Sequence, residues 1–528
     1  MNRREFLISA SGLSLAAGIG VLSLPAQASQ DELVLVLGSS SNGCPNYDPI
    51  RGTYLNLGAY LIYDRLIEMD ADQSYHPHLA QSWENSPDGM TWSFTLRQGV
   101  KFHDGEPFNA HTIPWWISKY TGTENQFMVD AIDRVEIVDD HAFRFIMKRP
   151  EPNLVYYLAN VFMGIPSPKS YDAASDGYGV TEAVGTGPFK LESFVISQET
   201  VLVANEDYAW ANPLSENQGA ANIKRLTLRE IPDASTAFLE LKTGGVGMLL
   251  GLPTEFLPQL QAEKSIKFRT LPGIGVTTIK FNVRKAPFTD IKVRQATALA
   301  VDQAAILKGV YNGNGTESHQ FLIESLAESR VGKEFEIHYD PEKANHLLDE
   351  AGWARGDDGV RQKGGAPLAV SLWTRGETEY KRIAEIVQAQ LKAIGMTADI
   401  AVFDKASLDD QLKKGEHQFV VNHYDWNNAD ELDWEFSAKR IPFPNVSMWD
   451  DPQSEQLNDT AMHKSKTWDE RVANFKKLHE YILSQFVFIP IHEPAQNIAY
   501  NSDILSVPEV IRGAEVMQQT VLDLKTVG

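Results

Sequence analysis

The most regular alternation of polar and apolar side chains lies in residues 83–102. Residues Thr91 to Leu96 (TWSFTL) alternate in the way that a strand with one buried face requires. The preceding Ser86-Pro87-Asp88-Gly89 is a turn sequence, because glycine accepts a positive φ at no steric cost. The pattern therefore predicts a β-hairpin, followed by a second short strand at residues 100–102.

Strand and helix patterns then alternate along the chain. Strands are predicted at 32–37, at 398–403 and twice within 133–147, and an early helix is predicted at 55–67. Later helices show apolar stripes with a capping Asp before them or a Gly after them. These caps and stops are Asp290, Asp302, Asp340, Gly352 and Gly395. Such alternation indicates an α/β fold, in which ligands bind in a crevice at the strand ends.

The first 28 residues have the features of an export signal. Arg3-Arg4 precedes Phe6-Leu7 and a weakly apolar stretch, and Ala26-Gln27-Ala28 supplies the small residues of a cleavage site. The paired arginines indicate a twin-arginine signal, with an ordinary secretory signal as the alternative. Either one predicts that the mature protein is periplasmic.

Composition narrows the classes of function. A formal charge of −22 argues against binding to nucleic acid or to anionic membranes. The single cysteine, Cys44, excludes an internal disulfide and a cysteine-cluster metal site. A chain of 528 residues exceeds one hydrophobic core, so two or three lobes are expected.

Motifs of hydrolases are absent from the sequence. Neither H-E-x-x-H nor G-x-S-x-G occurs, and residues 38–43 (GSSSNG) do not fit a phosphate-binding loop. A secreted hydrolase is therefore the weaker hypothesis, and the protein is predicted not to be an enzyme.

Several segments resemble one family of transport proteins in their order and spacing. They are residues 78–106 (HLAQSWENSPDGMTWSFTLRQGVKFHDGE), 184–191 (VGTGPFKL), 230–236 (EIPDAST), 281–296 and 339–353. The chain resembles the extracytoplasmic solute-binding proteins of ABC importers, in the peptide/nickel/opine-binding family (family 5). From 281 to 418 it is most similar to the dipeptide-binding branch.

The resemblance implies a two-lobed periplasmic-binding-protein fold of class II type, with a small domain inserted in the first lobe. By this likeness, lobe I comprises 29–62, 187–272 and 493–528. The inserted domain is 63–186, and lobe II is 273–492. The lobes of such proteins close over a ligand by hinge motion.

The resemblance also implies where a peptide would bind. An aspartate that follows the Gly-Glu-His-Gln segment holds the peptide ammonium in relatives, but Asn427 stands there, so Asp425 or Asp430 would have to replace it. An upstream arginine clamps the ligand carboxylate, and Arg375 lies one position away. A surface salt bridge is the alternative for Arg375.

Aromatic and amide side chains surround Asn427. They are Trp373, Tyr424, Trp426, Asn428 and Trp434. Aromatic faces beside amides suit a sugar ring, although a tryptophan beside a strand is also a common core residue. Additional polar contacts are predicted from Ser40, Ser41 and Asn42 in one lobe and from Asn282 in the other.

The predicted function is that of a periplasmic receptor without a cofactor or metal ion. It would capture a peptide or peptide-like solute and deliver it to an inner-membrane permease powered by ATPase subunits. The alternative ligand is an oligosaccharide, an opine or another sugar-conjugated solute. A nickel complex is disfavoured because residues 160–166 lack the arginine that nickel carriers use. A monomer is expected.

Overall fold

The computed structural model describes residues 31–38, 43–260, 262–511 and 517–527. The predicted export signal lies outside the described residues, as do Ser40, Ser41 and Asn42. The described residues form a mixed α/β structure with two large central sheets. The predicted α/β class is therefore confirmed.

The first large sheet has seven strands gathered from distant parts of the chain. Glu32–Leu37 lies near its centre and runs parallel to Arg225–Glu230 and to Met248–Leu249. In spatial order the strands are Ile266–Pro272, Ala495–Asn501, Met248–Leu249, Glu32–Leu37, Arg225–Glu230, Glu199–Ala204 and Phe189–Val195.

The second large sheet has six strands, all between residues 277 and 493. Ala369–Arg375 runs parallel to Thr397–Phe403 and to Phe419–His423, so these three strands end at the same edge. In spatial order the strands are Thr316–Glu317, Phe488–Glu493, Thr277–Phe281, Phe419–His423, Ala369–Arg375 and Thr397–Phe403.

A four-stranded antiparallel sheet contains the predicted hairpin. Its strands in spatial order are Ala80–Asn85, Thr91–Leu96, Ala142–Met147 and Ile132–Asp139. Gly89 has φ +73° in the turn, as its place there requires. The prediction of a strand at 100–102 is wrong, because Lys101 forms only an isolated β-bridge with Pro107.

Most of the later helices begin and end at the predicted residues. Asp290, Asp302 and Asp340 each accept a hydrogen bond from a backbone N–H in the first turn of their helix. Only the helix predicted at 55–67 is much shorter, since residues 67–69 pair with Tyr75–Pro77 instead. The helices are Leu57–Ile62, Thr112–Ser118, Leu154–Ala159, Pro168–Ala174, Ala234–Thr243, Leu257–Leu260, Ile291–Leu299, Gln303–Tyr311, Pro341–Glu350, Thr378–Ala393, Lys405–Leu412, Glu431–Phe436, Pro452–His463, Trp468–Ser484 and Met517–Asp523.

The two large sheets have separate hydrophobic cores. One buried cluster joins the seven-stranded sheet to the four-stranded sheet, and another cluster, from Val276 to Ile491, surrounds the six-stranded sheet. These two clusters with their sheets form two bodies of the molecule. Two chain segments connect the bodies and lie side by side, with Gly273 N donating to Pro494 O (2.9 Å). Among the described residues, no helix is long and apolar enough to cross a membrane. The exact domain limits given above stay a prediction.

Candidate ligand-binding site

The parallel strands of the six-stranded sheet bring two predicted site segments together. Ala369–Arg375 ends at Arg375, and the neighbouring Phe419–His423 leads directly into residues 424–430. Carboxyl ends of parallel strands meet at one edge of a sheet, where α/β proteins bind ligands. Gly275 (φ +73°), in one of the connecting segments, passes so close to the Tyr424 carbonyl that a side chain there would clash. The site therefore lies beside the connection between the two bodies.

The positively charged guanidinium of Arg375 lies at this edge and has few partners. It lies 4.0 Å from the centre of the Tyr380 ring, in cation–π geometry. The Glu377 carboxylate oxygen is 3.9 Å from Nε, which is beyond hydrogen-bond distance. The buried Nε has no hydrogen-bond partner among the described residues. Arg375 can therefore donate to an incoming carboxylate.

Acidic groups lie close to Arg375. The Asp425 carboxylate is hydrogen-bonded to His423 Nε2 (2.7 Å), and its side chain is 59% exposed. Burial raises the pKa of Asp425, but the hydrogen bond and charge of His423 outweigh it, so the pKa is lowered. Burial, together with the nearby Glu377, raises the pKa of Glu379. The site thus combines one available cation with several carboxyl groups.

Three aromatic rings pack against one another next to these charges. The Tyr424, Trp426 and Trp434 ring centres are 6.1 to 6.4 Å apart. The Trp426 and Trp434 planes are nearly perpendicular, at 86°. Tyr424 is exposed, and both tryptophans are half-buried. These rings are the aromatic side chains predicted for this segment, and their contact with a ligand stays a prediction.

Asn427 forms hydrogen bonds with the part of the molecule that contains the seven-stranded and four-stranded sheets. The Tyr156 hydroxyl donates to Asn427 Oδ1 (2.8 Å) and accepts from Trp426 Nε1 (3.0 Å). Gln73 Nε2 donates to the Asn427 carbonyl (3.2 Å). The Asn427 side chain is buried, so its amide oxygen joins two parts of the chain rather than facing an open cleft.

Asn428 and Asp430 are held in a similar way. Asp430 accepts hydrogen bonds from the Tyr157 hydroxyl (2.6 Å), Asn153 Nδ2 (3.0 Å) and Arg471 Nη2 (2.8 Å). Asn428 exchanges hydrogen bonds with Asn153, and its Oδ1 also accepts from Arg471. The charge of Asp430 is already compensated, so this residue does not replace the missing amine anchor.

Two further predicted ligand contacts are corrected by the structure. Asn282 Nδ2 donates to the carbonyls of Gly415 and His417 (both 3.0 Å), which leaves no amide hydrogen for a ligand. Trp373 packs on Phe403 at 4.9 Å and donates to Ser371 Oγ, so it is part of the core beside the sheet. Trp373 is therefore a core residue, which is the common role of a tryptophan beside a strand.

One buried residue of the site had no signal in the sequence. Glu431 is 3% exposed, yet its carboxylate has no hydrogen bond or ion pair among the described residues. Burial raises its pKa well above the usual range. Tyr156 and Tyr157 were missed as well, because their role depends on contacts between segments far apart in the chain.

The site offers no obvious set of metal ligands. Within the ranges that the structure describes, no group of three or more His, Cys, Asp or Glu side chains is arranged to hold a metal ion. His423 is shared with Asp425 and Thr277. The side chains described above suit hydrogen bonding, charge pairing and aromatic contact with an organic molecule.

Comparison with known proteins identifies relatives with the same architecture. Residues 74–436 match the model of bacterial extracellular solute-binding proteins, family 5. The dipeptide-binding protein of Escherichia coli K12 is 28% identical over 452 residues, covering 79% of this chain and 80% of its own. Heme-binding protein A of Haemophilus influenzae is 27% identical over 477 residues, covering 84% and 83%.

A solved structure with the same fold is NikA from Brucella suis in complex with Fe(III)-EDTA. It superposes with a TM-score of 0.80 at 21% identity, over 93% of this chain and all of NikA. This confirms the two-lobed fold expected from the resemblance. With its two sheets, their parallel strand ends and a family match over most of its length, the chain belongs to the family 5 bacterial extracellular solute-binding proteins.

Proposed function

We propose that the protein is the periplasmic substrate-binding component of an ABC importer and that its solute is a peptide or peptide-like molecule with a carboxylate. The mature protein, exported by a twin-arginine signal, captures the solute as a monomer and delivers it to an inner-membrane permease with its ATPase subunits. It does no chemistry on the solute.

Arg375 carries the proposal for the ligand. Its buried Nε lacks a hydrogen-bond partner within the described structure, and a buried donor left unpaired is costly. A ligand carboxylate supplies two acceptors in the geometry that a guanidinium fits best. The dipeptide-binding relative supports a ligand of this class.

The sugar-like alternative has less support. It relied on five aromatic and amide side chains near Asn427, but Trp373 and Asn428 make internal contacts. The remaining rings of Tyr424, Trp426 and Trp434 lie against each other at steep angles rather than offering one flat platform. A sugar ring stacks best on an open aromatic face.

The test is a titration of ligand-free mature protein with mixed dipeptides and with the same dipeptides amidated at the C terminus. We expect saturable heat for the free acids, with affinity about 10 to 100 times lower for the amides. Arg375→Gln should lose the same factor for the free acids. Arg382→Gln, a change of an exposed arginine on the next helix, should not.

Two results would contradict the proposal. Equal affinity of the free acids and amides would remove Arg375 as the carboxylate anchor. Release of free amino acids from the peptides by purified protein would indicate a hydrolase instead of a binding protein.

A further inference from the structure

Glu431 is a buried carboxylate without a counter-ion of its own. The nearest buried cation, Lys280, is on the adjacent strand Thr277–Phe281, and its ammonium contacts Glu435 rather than Glu431. Lys280 therefore faces two carboxylates, since it contacts Glu435 and its charge also acts on Glu431. One cation for two carboxylates leaves one acidic group in this part of the protein uncompensated.

An isolated carboxylate is expensive to bury, which explains why burial raises the pKa of Glu431. Lys280 opposes the shift, and the charge of Asp425 adds to it. The carboxylates that serve only the fold have partners: Glu435 contacts Lys280, and Asp430 contacts Arg471. The missing partner of Glu431 indicates a place for a ligand group.

The aromatic rings described above lie next to this carboxylate. Glu431 and Trp434 are three residues apart on one helix and so share a face. Burial and the nearby charge of Glu431 together raise the pKa of the Tyr424 hydroxyl. Arg440 lies 4.4 Å over the Trp434 ring, but it is already paired with Asp433.

We propose that Tyr424, Trp426, Trp434 and the Glu431 carboxylate form a subsite for a methylated ammonium group of the transported solute. The inference rests on the proposed function and specifies its ligand further. Aromatic faces attract a cation by their negative π surfaces, and the three rings can line one side of it. The charge of a bound cation favours the ionised form of Glu431, which then supplies the negative charge.

Three of the four side chains of this subsite are aromatic rings, which favours a methylated cation over a primary ammonium. A primary ammonium has three N–H donors and needs an acceptor for each. Glu431 can accept from one side only, while Asn427 Oδ1 is engaged by Tyr156 and one Asp425 oxygen is engaged by His423. A methylated nitrogen needs only charge and apolar contact, which the rings and Glu431 provide.

The test compares choline with its uncharged tert-butyl analogue, in which carbon replaces the nitrogen. Both have the same shape, so a difference in binding reports the charge alone. The readouts, on ligand-free mature protein, are titration calorimetry and the total tryptophan fluorescence, to which Trp426 and Trp434 contribute. We expect choline to bind about tenfold more tightly than the analogue, or better.

Variants separate the subsite from general effects. Glu431→Gln keeps the shape of the side chain and should abolish the preference for choline, and Tyr424→Ala should weaken choline binding about tenfold. Glu385→Gln and Tyr339→Ala, which change exposed residues elsewhere, are the matched controls and should bind as the wild type does.

Equal binding of choline and the analogue, no choline binding at millimolar concentration, or an unchanged preference in folded Glu431→Gln would each overturn the subsite. If dipeptides still titrate in those cases, the proposed function stands and only the subsite fails. If neither dipeptides nor choline bind, the proposed ligand class fails together with the subsite.

Discussion

Asp430 and Glu431 are adjacent in the chain, but their carboxylates differ in the partners that they contact. Asp430 has partners from two distant segments, including Arg471 at 2.8 Å and the Tyr157 hydroxyl at 2.6 Å. Glu431 is equally buried, but its carboxylate has no hydrogen bond or ion pair among the described residues, and the nearby Lys280 contacts Glu435 instead. One carboxylate thus joins two bodies of the protein, whereas the other stays available.

The comparison shows how a binding site can be recognised among buried charges. Most buried ionisable groups are paired, because an unpaired charge loses its hydration without compensation. In the candidate site, Arg375 Nε and the Glu431 carboxylate make no hydrogen bond among the described residues, and the two side chains have opposite charges. A solute with both a carboxylate and an ammonium group would satisfy both residues at once.

The largest expected effect is loss of stability when Asp430 is neutralised. Asp430→Asn leaves the buried Arg471 with only Glu328 as a charged partner at 3.2 Å. Breaking one side of a buried ion pair costs about 3 to 5 kcal/mol of unfolding free energy. Urea denaturation, monitored by circular dichroism, measures this loss of unfolding free energy.

The control for this change lies on the same helix. Asp433 pairs with the half-buried Arg440, and Asp433→Asn should cost about 1 kcal/mol or less. Equal losses for Asp430→Asn and Asp433→Asn would mean that Asp430 does not hold the two bodies together.

A smaller effect is expected at Glu431, and its direction depends on pH. Because burial raises the pKa of Glu431, the folded state binds its proton more tightly than the unfolded chain does. Wild-type stability should therefore fall as the pH rises above the ordinary carboxyl value of 4.5 toward the raised value. Glu431→Gln mimics the protonated form and avoids this loss.

The measurement is the difference in unfolding free energy between Glu431→Gln and the wild type, without ligand, across that pH range. The unfolding free energy of the variant should increase relative to that of the wild type as the pH rises. The groups that also face Glu431 are Lys280, Glu435, Asp425 and Tyr424, and they are unchanged in both proteins. A pH-independent difference would mean that Glu431 titrates alike in the folded and unfolded states.

Much of the fold could be predicted because local patterns determine it. The caps at Asp290, Asp302 and Asp340 and the stops at Gly352 and Gly395 mark helix ends by backbone chemistry alone. The helix predicted at 55–67 is too long, since residues 67–69 form a short hairpin with Tyr75–Pro77. The partner strand lies outside the predicted helix and leaves no mark within it.

The site could be predicted only in part, for the same reason. The order of motifs points to Arg375 and to the segment 424–428 as candidates, and the parallel strands bring these to one edge. The availability of each side chain depends on contacts across the molecule, as Tyr156 with Asn427 illustrates. For this reason the sequence points to Asn282 and Trp373, which make internal contacts, and gives no signal for Glu431.

The smallest expected effect concerns Asn427, which stands where relatives are expected to hold an ammonium. Its amide oxygen accepts a neutral hydrogen bond from Tyr156, and the loss of this bond in Asn427→Ala should cost about 1 kcal/mol of unfolding free energy. Affinity for choline and dipeptides should stay within about twofold, because the charged anchors Glu431 and Arg375 are intact. Tyr156→Phe removes this bond and also the one from Trp426 Nε1, so it should destabilise more than Asn427→Ala, and the double variant should cost less than the sum. A tenfold loss of ligand affinity in Asn427→Ala alone would instead return the ammonium site to Asn427 and leave Glu431 without a ligand.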